Sequence, residues 1–308
     1  MPPVVPGPAP SRPGLMDHPT LLMLLVTLFW GGNAVAGRLA VDQVSPAQLT
    51  LLRWVVAGAI ILPMTWRELA DAAPMLRRRM AFLAAMGTLG FTTYNILYYS
   101  AAHVTSAVNI AIVTASSPIF MLAGGRALLG GRVRGLQWLG AGVAFCGLLA
   151  VASGGSLRAL AALSFNHGDL MVLAASALYA GYSLALRRRP AVGALVFFAA
   201  IVPAAVISAL VPAGIELASG EARMPTAQGF AVIVYVGLFP SLLAQVFFLR
   251  AVELIGAARA GLYTNLTPVF GAGLAWLGLG ERFGWHHALG LVAVVAGIGL
   301  AEYSARRR

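Results

Sequence analysis

Residues 114–120 read "TASSPIF", and residues 264–270 read "TNLTPVF". At this offset of 150, Thr114 falls on Thr264, Pro118 on Pro268 and Phe120 on Phe270. A helix breaker set among hydrogen-bonding side chains, with Leu, Ala and Gly on either side, thus occurs twice. The match continues from "LGGRVRGLQWLG" (129–140) to "LGERFGWHHALG" (279–290), pairing Gly130 with Gly280, Arg132 with Arg282 and Gly140 with Gly290. Upstream, Gly87 pairs with Gly237. The chain is an internal duplication.

Composition says what kind of unit is duplicated. Of the 308 residues, 59% are hydrophobic and only 10% charged, and the mean hydropathy is +0.84; a soluble domain carries about 25% charged residues. Spanning a bilayer takes about 20 largely apolar residues. Ten such segments are expected, near 19–41, 46–66, 80–102, 105–128, 134–153, 165–187, 191–213, 226–249, 256–279 and 284–304. The predicted fold is therefore an all-α polytopic membrane protein. Residues 1–18 form a Pro-rich tail expected to be disordered, 19–155 the first five-helix repeat, 165–304 the second, and 305–308 a basic tail. "AVA" at 34–36 imitates a leader-peptide cleavage site, but polar Asn33 interrupts the run, so the first segment reads as a span. The lone Cys146 lies in an apolar segment, which leaves neither a disulfide nor a cysteine metal site.

A net charge of +11 would point to nucleic acid if the basic residues formed one continuous surface. Here all 21 are arginines, and nearly all sit in short loops. Arg12, Arg67, Arg77–Arg79, Arg126, Arg132, Arg134, Arg187–Arg189, Arg250, Arg259 and Arg306–Arg308 fall on one side of the ten-span arrangement. Arg38, Arg158, Arg223 and Arg282 fall on the other. Positive charge accumulates in cytoplasmic loops, so both termini are expected in the cytoplasm and nucleic acid is not an expected partner. Each repeat holds five spans, an odd number, so the second copy enters the membrane opposite to the first. The two copies are then related by an axis in the membrane plane, as in secondary transporters whose site lies where the halves meet.

"LFWGGNAVAGRLA" (28–40), "LTLLRWVVAGAIIL" (49–62), the Pro-centred fourth and ninth spans and the "LGERF" turn before the last span resemble the EamA-type members of the drug/metabolite transporter superfamily. The resemblance covers nearly the whole chain. It implies a ten-helix carrier of the bacterial inner membrane, most similar to exporters of amino acids and related metabolites. Gly131 departs from the acid that the family often has in the first copy.

Polar side chains are unevenly shared among the spans. The first, third, fourth, sixth, eighth and ninth hold Trp30, Asn33, Thr92, Thr93, Tyr94, Asn95, Tyr98, Tyr99, Asn109, Thr114, Ser116, Tyr179, Tyr182, Ser183, Gln245, Tyr263, Asn265 and Thr267, whereas the second, fifth, seventh and tenth are nearly bare. Polar groups facing hydrocarbon cost several kcal/mol each. Six helices are therefore expected around a central cavity, with four packed outside. Trp30 with Asn33, Asn95 with Tyr98 and Tyr99, Tyr179 with Tyr182 and Ser183, and Tyr263 with Thr267 recur at helical spacing and share faces. The competing reading is interhelical hydrogen bonding. Seven aromatic residues in the set suit a pocket for an apolar or aromatic body.

Pro118 and Pro268 lack a backbone N–H, so the carbonyls of Thr114 and Thr264 are expected to lose their helical donors. Those carbonyls would be free acceptors at mid-membrane depth, and the prolines would act as hinges. Alternatively the prolines only bend the helices for packing, with the threonine hydroxyls satisfying the backbone. Arg53 lies seven residues after Pro46, about 10 Å into its helix, and is expected to snorkel to the interface. Asp169 and His103 are expected within reach of the interface, and no acid sits deep in a span.

No H-E-x-x-H motif or acidic pair supports an intramembrane enzyme, and His286 and His287 point about 100° apart at a helix mouth. The sequence reading is a carrier without cofactor or metal. It would export small metabolites, above all neutral and aromatic amino acids, by alternating access. The alternative is an exporter of drugs or other small organic solutes through a permissive aromatic cavity. Its partners are a small molecule and membrane lipid, and nothing in the sequence demands more than a monomer.

Overall fold

The computed structural model describes residues 14–114, 116–129, 135–152, 155–156, 158, 166–255, 260 and 263–306. The described residues are helical and contain no strand. Seven helices are long and apolar enough to cross a membrane: Pro19–Ala40, Pro46–Met64, Met80–Ala101, Ala107–Ala127, His167–Arg188, Ala194–Ala218 and Ala227–Ile255. Three shorter apolar helices, Gly135–Val151, Thr267–Leu279 and Trp285–Gly297, stand where the fifth, ninth and tenth spans are expected. Successive spans reverse direction, so residue 14 and residue 306 lie on one face, here the terminal face; the opposite, distal face carries the turns at 41–45, 102–106 and 280–284.

Local chemistry sets several helix starts. Pro19 and Pro46 occupy the first turn, where a missing N–H costs nothing. Asn166 and Thr226 cap their helices through Gly168 N and Gly229 N. Two starts are capped from across the fold. Glu216, near the end of the seventh span, accepts from Ala47 N, Gln48 N and Ser45 Oγ at 3.0, 3.3 and 2.6 Å. Glu281, after the ninth span, accepts from Ala107 N and Val108 N at 2.9 Å each. A carboxylate there meets both the orphan N–H groups and the positive end of the helix dipole. Gly280, at φ +64°, ends the ninth span in the left-handed region and turns the chain toward the fourth. Between the second and third spans, Trp66–Arg77 forms an amphipathic helix with Leu76 buried and Arg67, Glu68 and Arg77 exposed.

The four spans poor in polar residues form two pairs, second with seventh and fifth with tenth. These are the positions that the repeat makes equivalent. Contact depends on glycine: a Cβ on Gly290 would lie 2.8 Å from the Gly147 carbonyl, and one on Gly297 2.4 Å from the Gly140 carbonyl. The 150-residue offset maps one contact onto the other, Gly140 onto Gly290 and Gly147 onto Gly297. Small residues at such crossings let backbones approach where lipid supplies no hydrophobic drive.

A further symmetry was not visible in the sequence. The third span carries a π-helical segment at Met86–Thr93, and the eighth carries its counterpart at Gly237–Leu243. Each extra residue bulges the helix toward a peripheral neighbour. A Cβ at Gly87 would lie 2.7 Å from the Ile201 carbonyl on the seventh span, and one at Gly237 2.7 Å from Val56 Cβ on the second. The pairing of Gly87 with Gly237 in sequence thus marks one packing solution used twice.

Candidate functional site

Tyrosines form the wall of the interior. Tyr94 meets Tyr98 and Tyr179 with ring centroids 5.8 and 5.7 Å apart, and Tyr179 meets Tyr182 at 5.8 Å. The row joins the third span to the sixth. Tyr98 and Tyr182 are buried, while Tyr94 and Tyr179 stay partly exposed. Gly90 makes room for it, since a Cβ there would lie 2.4 Å from the Tyr182 ring.

Behind this row stands Arg53, which is 4% exposed and does not snorkel. Its Nε and Nη2 donate to Ser241 Oγ at 2.9 and 2.6 Å. Nη1 donates to Asn95 Oδ1 and Tyr99 Oη. Tyr99 in turn donates to Asn33 Oδ1 at 2.8 Å. The guanidinium also lies 5.2 Å from the Trp54 ring centroid and 5.5 Å from that of Tyr99. The second span therefore reaches into a polar node made by the first, third and eighth. Burying an ion costs several kcal/mol; the neutral acceptors and two aromatic faces offset it here. Among the described residues the ion pairs are Arg223–Asp42, Arg250–Asp17 and Arg250–Glu253, all partly or fully exposed, so Arg53 has no carboxylate partner there. Ser241 was missed by the sequence reading, although a signal existed. It follows Pro240, which strips the Val236 carbonyl of its helical donor, and Ser241 Oγ donates to that carbonyl at 2.6 Å.

The same substitution of hydroxyl for backbone donor corrects the expectation of free carbonyls at the paired prolines. The fourth span breaks between Thr114 and Ser117, and Ser117 Oγ donates to Thr114 O at 3.0 Å. In the ninth span Thr264–Leu266 winds as a 3-10 turn, so that Thr267 N donates to Thr264 O. Both helices are discontinuous, and both carbonyls are satisfied. Thr114 Oγ1 donates to Ile110 O at 2.6 Å. Two neighbouring hydroxyls, Ser116 Oγ and Thr267 Oγ1, are buried with no hydrogen-bond partner. Pro268 is buried in the first turn of Thr267–Leu279; Pro118 lies in helix Ser117–Leu129, and the side chains of Pro118 and Asn265 fall outside the described residues.

The remaining expected site residues lie elsewhere. Trp30 Nε1 donates to Pro240 O at 3.2 Å, its ring tilted against Phe248 at 5.6 Å. Tyr263 Oη shares a hydrogen bond with Thr20 Oγ1 at 3.2 Å near the terminal face. Gln245 is half-buried on the eighth span. Thr92 turns away from the tyrosines and donates to the seventh span at Ala205 O, 2.8 Å away. Asn109 lies near the distal mouth, where its Nδ2 donates to Thr105 Oγ1 and Asp169 and its Oδ1 meets His287 Nε2 at 3.1 Å. Asp169, in the first turn of the sixth span, is 1% exposed, and Thr105 donates to it at 2.7 Å.

The two halves of the interior differ in closure. Toward the distal face, Gly31, Ala111 and Gly271 bring the first, fourth and ninth spans into backbone contact: a Cβ on Gly31 would lie 2.7 Å from Gly271 N, and one on Gly271 2.6 Å from Ala111 Cβ. Gly181, the repeat counterpart of Gly31, has nothing within 4 Å of its Cβ position. From Ser117 onward the fourth span leaves the first and ninth and packs on the sixth. Among the described residues, the first, fourth and ninth spans close the distal half, and Gly181 makes no contact matching that of Gly31.

The family profile described as "EamA-like transporter family" matches residues 19–153 and again 166–302. Among curated proteins, the chain is 23% identical over 291 residues to the uncharacterized transporter YyaM of Bacillus subtilis, covering 92% of this chain and 93% of that one. It is 26% identical to the uncharacterized inner membrane transporter YedA of Escherichia coli, over 82% and 84% of the two chains. A probable terminal-alkyne amino-acid exporter of Streptantibioticus cattleyicolor is also 26% identical, over 84% of each. A solved crystal structure superposes with a TM-score of 0.65 at 21% identity, covering 94% of this chain and 98% of the other. Two matched segments, one per repeat, account for nearly every span: the chain belongs to the EamA-like transporter family and is a multi-pass membrane transporter of small molecules.

Proposed function

We propose that the chain exports small metabolites, above all neutral and aromatic amino acids, across a bacterial inner membrane by alternating access, with both termini cytoplasmic. The observation that carries this reading is the tyrosine row Tyr94–Tyr98–Tyr179–Tyr182, which offers ring faces and edges to an apolar or aromatic body. Arg53 supports it, because a buried cation with neutral partners makes the interior favourable to a carboxylate. The similarity to a probable amino-acid exporter points the same way.

The test is counterflow of labelled amino acids in proteoliposomes. Tyr94→Ala should reduce exchange of aromatic amino acids by about tenfold, the loss of about 1–1.5 kcal/mol expected for one aromatic contact. Val294→Ala, within the tenth span's packing, should leave exchange near the wild-type rate. Equal loss in both variants would mean that the tyrosines serve packing. Exchange of unrelated organic cations with no amino-acid exchange would favour the permissive drug exporter.

A further inference from the structure

We infer that the chain His287–Asn109–Asp169 at the distal mouth is a proton-binding latch, which holds the distal gate shut while His287 is neutral and releases it when His287 Nδ1 takes up a proton. The inference holds whatever the transported molecule is.

Hydrogen-bond direction carries the argument. Gly284 N, which can only donate, donates to His287 Nδ1 at 3.0 Å. Nδ1 is therefore unprotonated, and a neutral ring must carry its hydrogen on Nε2. Nε2–H then donates to Asn109 Oδ1 at 3.1 Å. The amide passes the direction on, with Asn109 Nδ2 donating to Asp169 Oδ1 at 3.4 Å while Thr105 Oγ1 donates to the same oxygen at 2.7 Å. Every link has one polarity, set by a peptide N–H at one end and a carboxylate at the other. The chain crosses the turn before the tenth span, the starts of the fourth and sixth spans and the turn at 102–106. It thus ties the turn that follows the ninth span to the starts of the fourth and sixth spans.

A cavity of about 650 Å³ borders the chain, and through it solvent protons reach the cluster. Around His287 it presents Arg38 of the first span, His103 of the 102–106 turn, Asp169 of the sixth, Glu281 and Arg282 of the 280–284 turn, and His286 beside it on its own helix. Arg38 and Arg282 oppose a second charge on the ring, whereas Asp169 and Glu281 favour it. Both carboxylates are already committed: Asp169 to Thr105 and Asn109, Glu281 to the first two peptide N–H groups of the fourth span. A proton on Nδ1 would face the Gly284 N–H, donor against donor, so the ring has to turn. Whichever carboxylate it then takes is withdrawn from the start of the fourth span or the turn before it. The distal face is the one that the arginine bias assigns to the periplasm, so external acid would act directly on the gate.

The test is a distance measurement by spin labels at Val104→Cys and Leu289→Cys, both exposed positions on either side of the latch, in a Cys146→Ala background that removes the exposed native thiol. Purified protein in lipid nanodiscs without substrate is taken from about pH 8 to about pH 4, because burial moves histidine titration below its ordinary range. The inter-label distance should lengthen with a single midpoint, and His286→Gln should keep that response. His287→Gln, whose side chain still accepts from Gly284 N–H but does not titrate, should hold the short distance throughout; His287→Asn serves if that variant misfolds. A wild-type distance that does not move, or a shift that survives in the His287 variant, overturns the latch.

Discussion

At the scale of residues, an unpaired buried hydroxyl is more informative than a bonded one. Ser116 Oγ and Thr267 Oγ1 sit at matched breaks of the fourth and ninth spans without partners, and such a group costs about 1–3 kcal/mol when left unsatisfied. Replacing the hydroxyl by a methyl should then help folding. Thr267→Val is expected to keep or slightly raise the melting temperature in detergent. If the hydroxyl serves the transported molecule, the same variant raises the apparent KM by about fivefold to tenfold, the value of one hydrogen bond. An unaltered KM would show that the hydroxyl is only enclosed by packing. Arg53 illustrates the reverse case. Its charge is plain in the sequence, but snorkelling and burial predict the same letter, and only the convergence of Asn95, Tyr99 and Ser241 from two other spans decides between them.

At the scale of elements, the peripheral pair formed by the fifth and tenth spans rests on glycines that admit no side chain. Gly290→Leu should lower stability by about 2–3 kcal/mol, as overpacking does. Gly142→Leu, on the same pair of helices but with nothing within 4 Å, should change it by less than about 0.5 kcal/mol. Thermal unfolding of the two variants side by side checks this. The prolines call for a different measurement. Since Thr267 N already satisfies Thr264 O through a 3-10 turn, Pro268→Ala adds a competing donor and lets the turn relax into a continuous helix. Exchange should slow while binding persists, through a shift of about 1–2 kcal/mol between facing states. Unchanged counterflow would leave the proline a packing element.

At the scale of the whole molecule, the repeat predicts the state that the structure does not occupy. Gly31 is in backbone contact with the ninth span, and its counterpart Gly181 meets nothing within 4 Å among the described residues. In the opposite state these roles should exchange. Gly181→Leu is expected to fold normally and to block that exchange, so that labelled substrate binds but does not cross. Gly31→Leu should instead wedge the distal half open and lower stability. Transport by Gly181→Leu at the wild-type rate would refute the exchange of roles. Orientation has its own check: reporters after Arg308 and near Arg78 should report cytoplasm, and one near Ser219 periplasm.

The sequence by itself determined the class of fold and its symmetry. Apolar runs long enough to span, an offset of 150 between "TASSPIF" and "TNLTPVF", and five spans per copy leave little else for a chain in a bilayer to do, because hydrocarbon forces each segment to satisfy its own backbone. The sparse polarity of the second, fifth, seventh and tenth spans likewise singled out the helices that pair with one another. Tertiary structure alone decided which polar residues meet. Asn109 and Asn95 look alike in sequence, yet one joins a chain at the distal mouth and the other a buried arginine. Thr92 and Tyr94, two residues apart, face opposite sides of one span, and only packing decides that Thr92 meets the seventh span at Ala205. Hydrogen-bond partners across spans are set by crossing distances and by which glycines permit contact, and those are properties of pairs of helices that no single segment encodes.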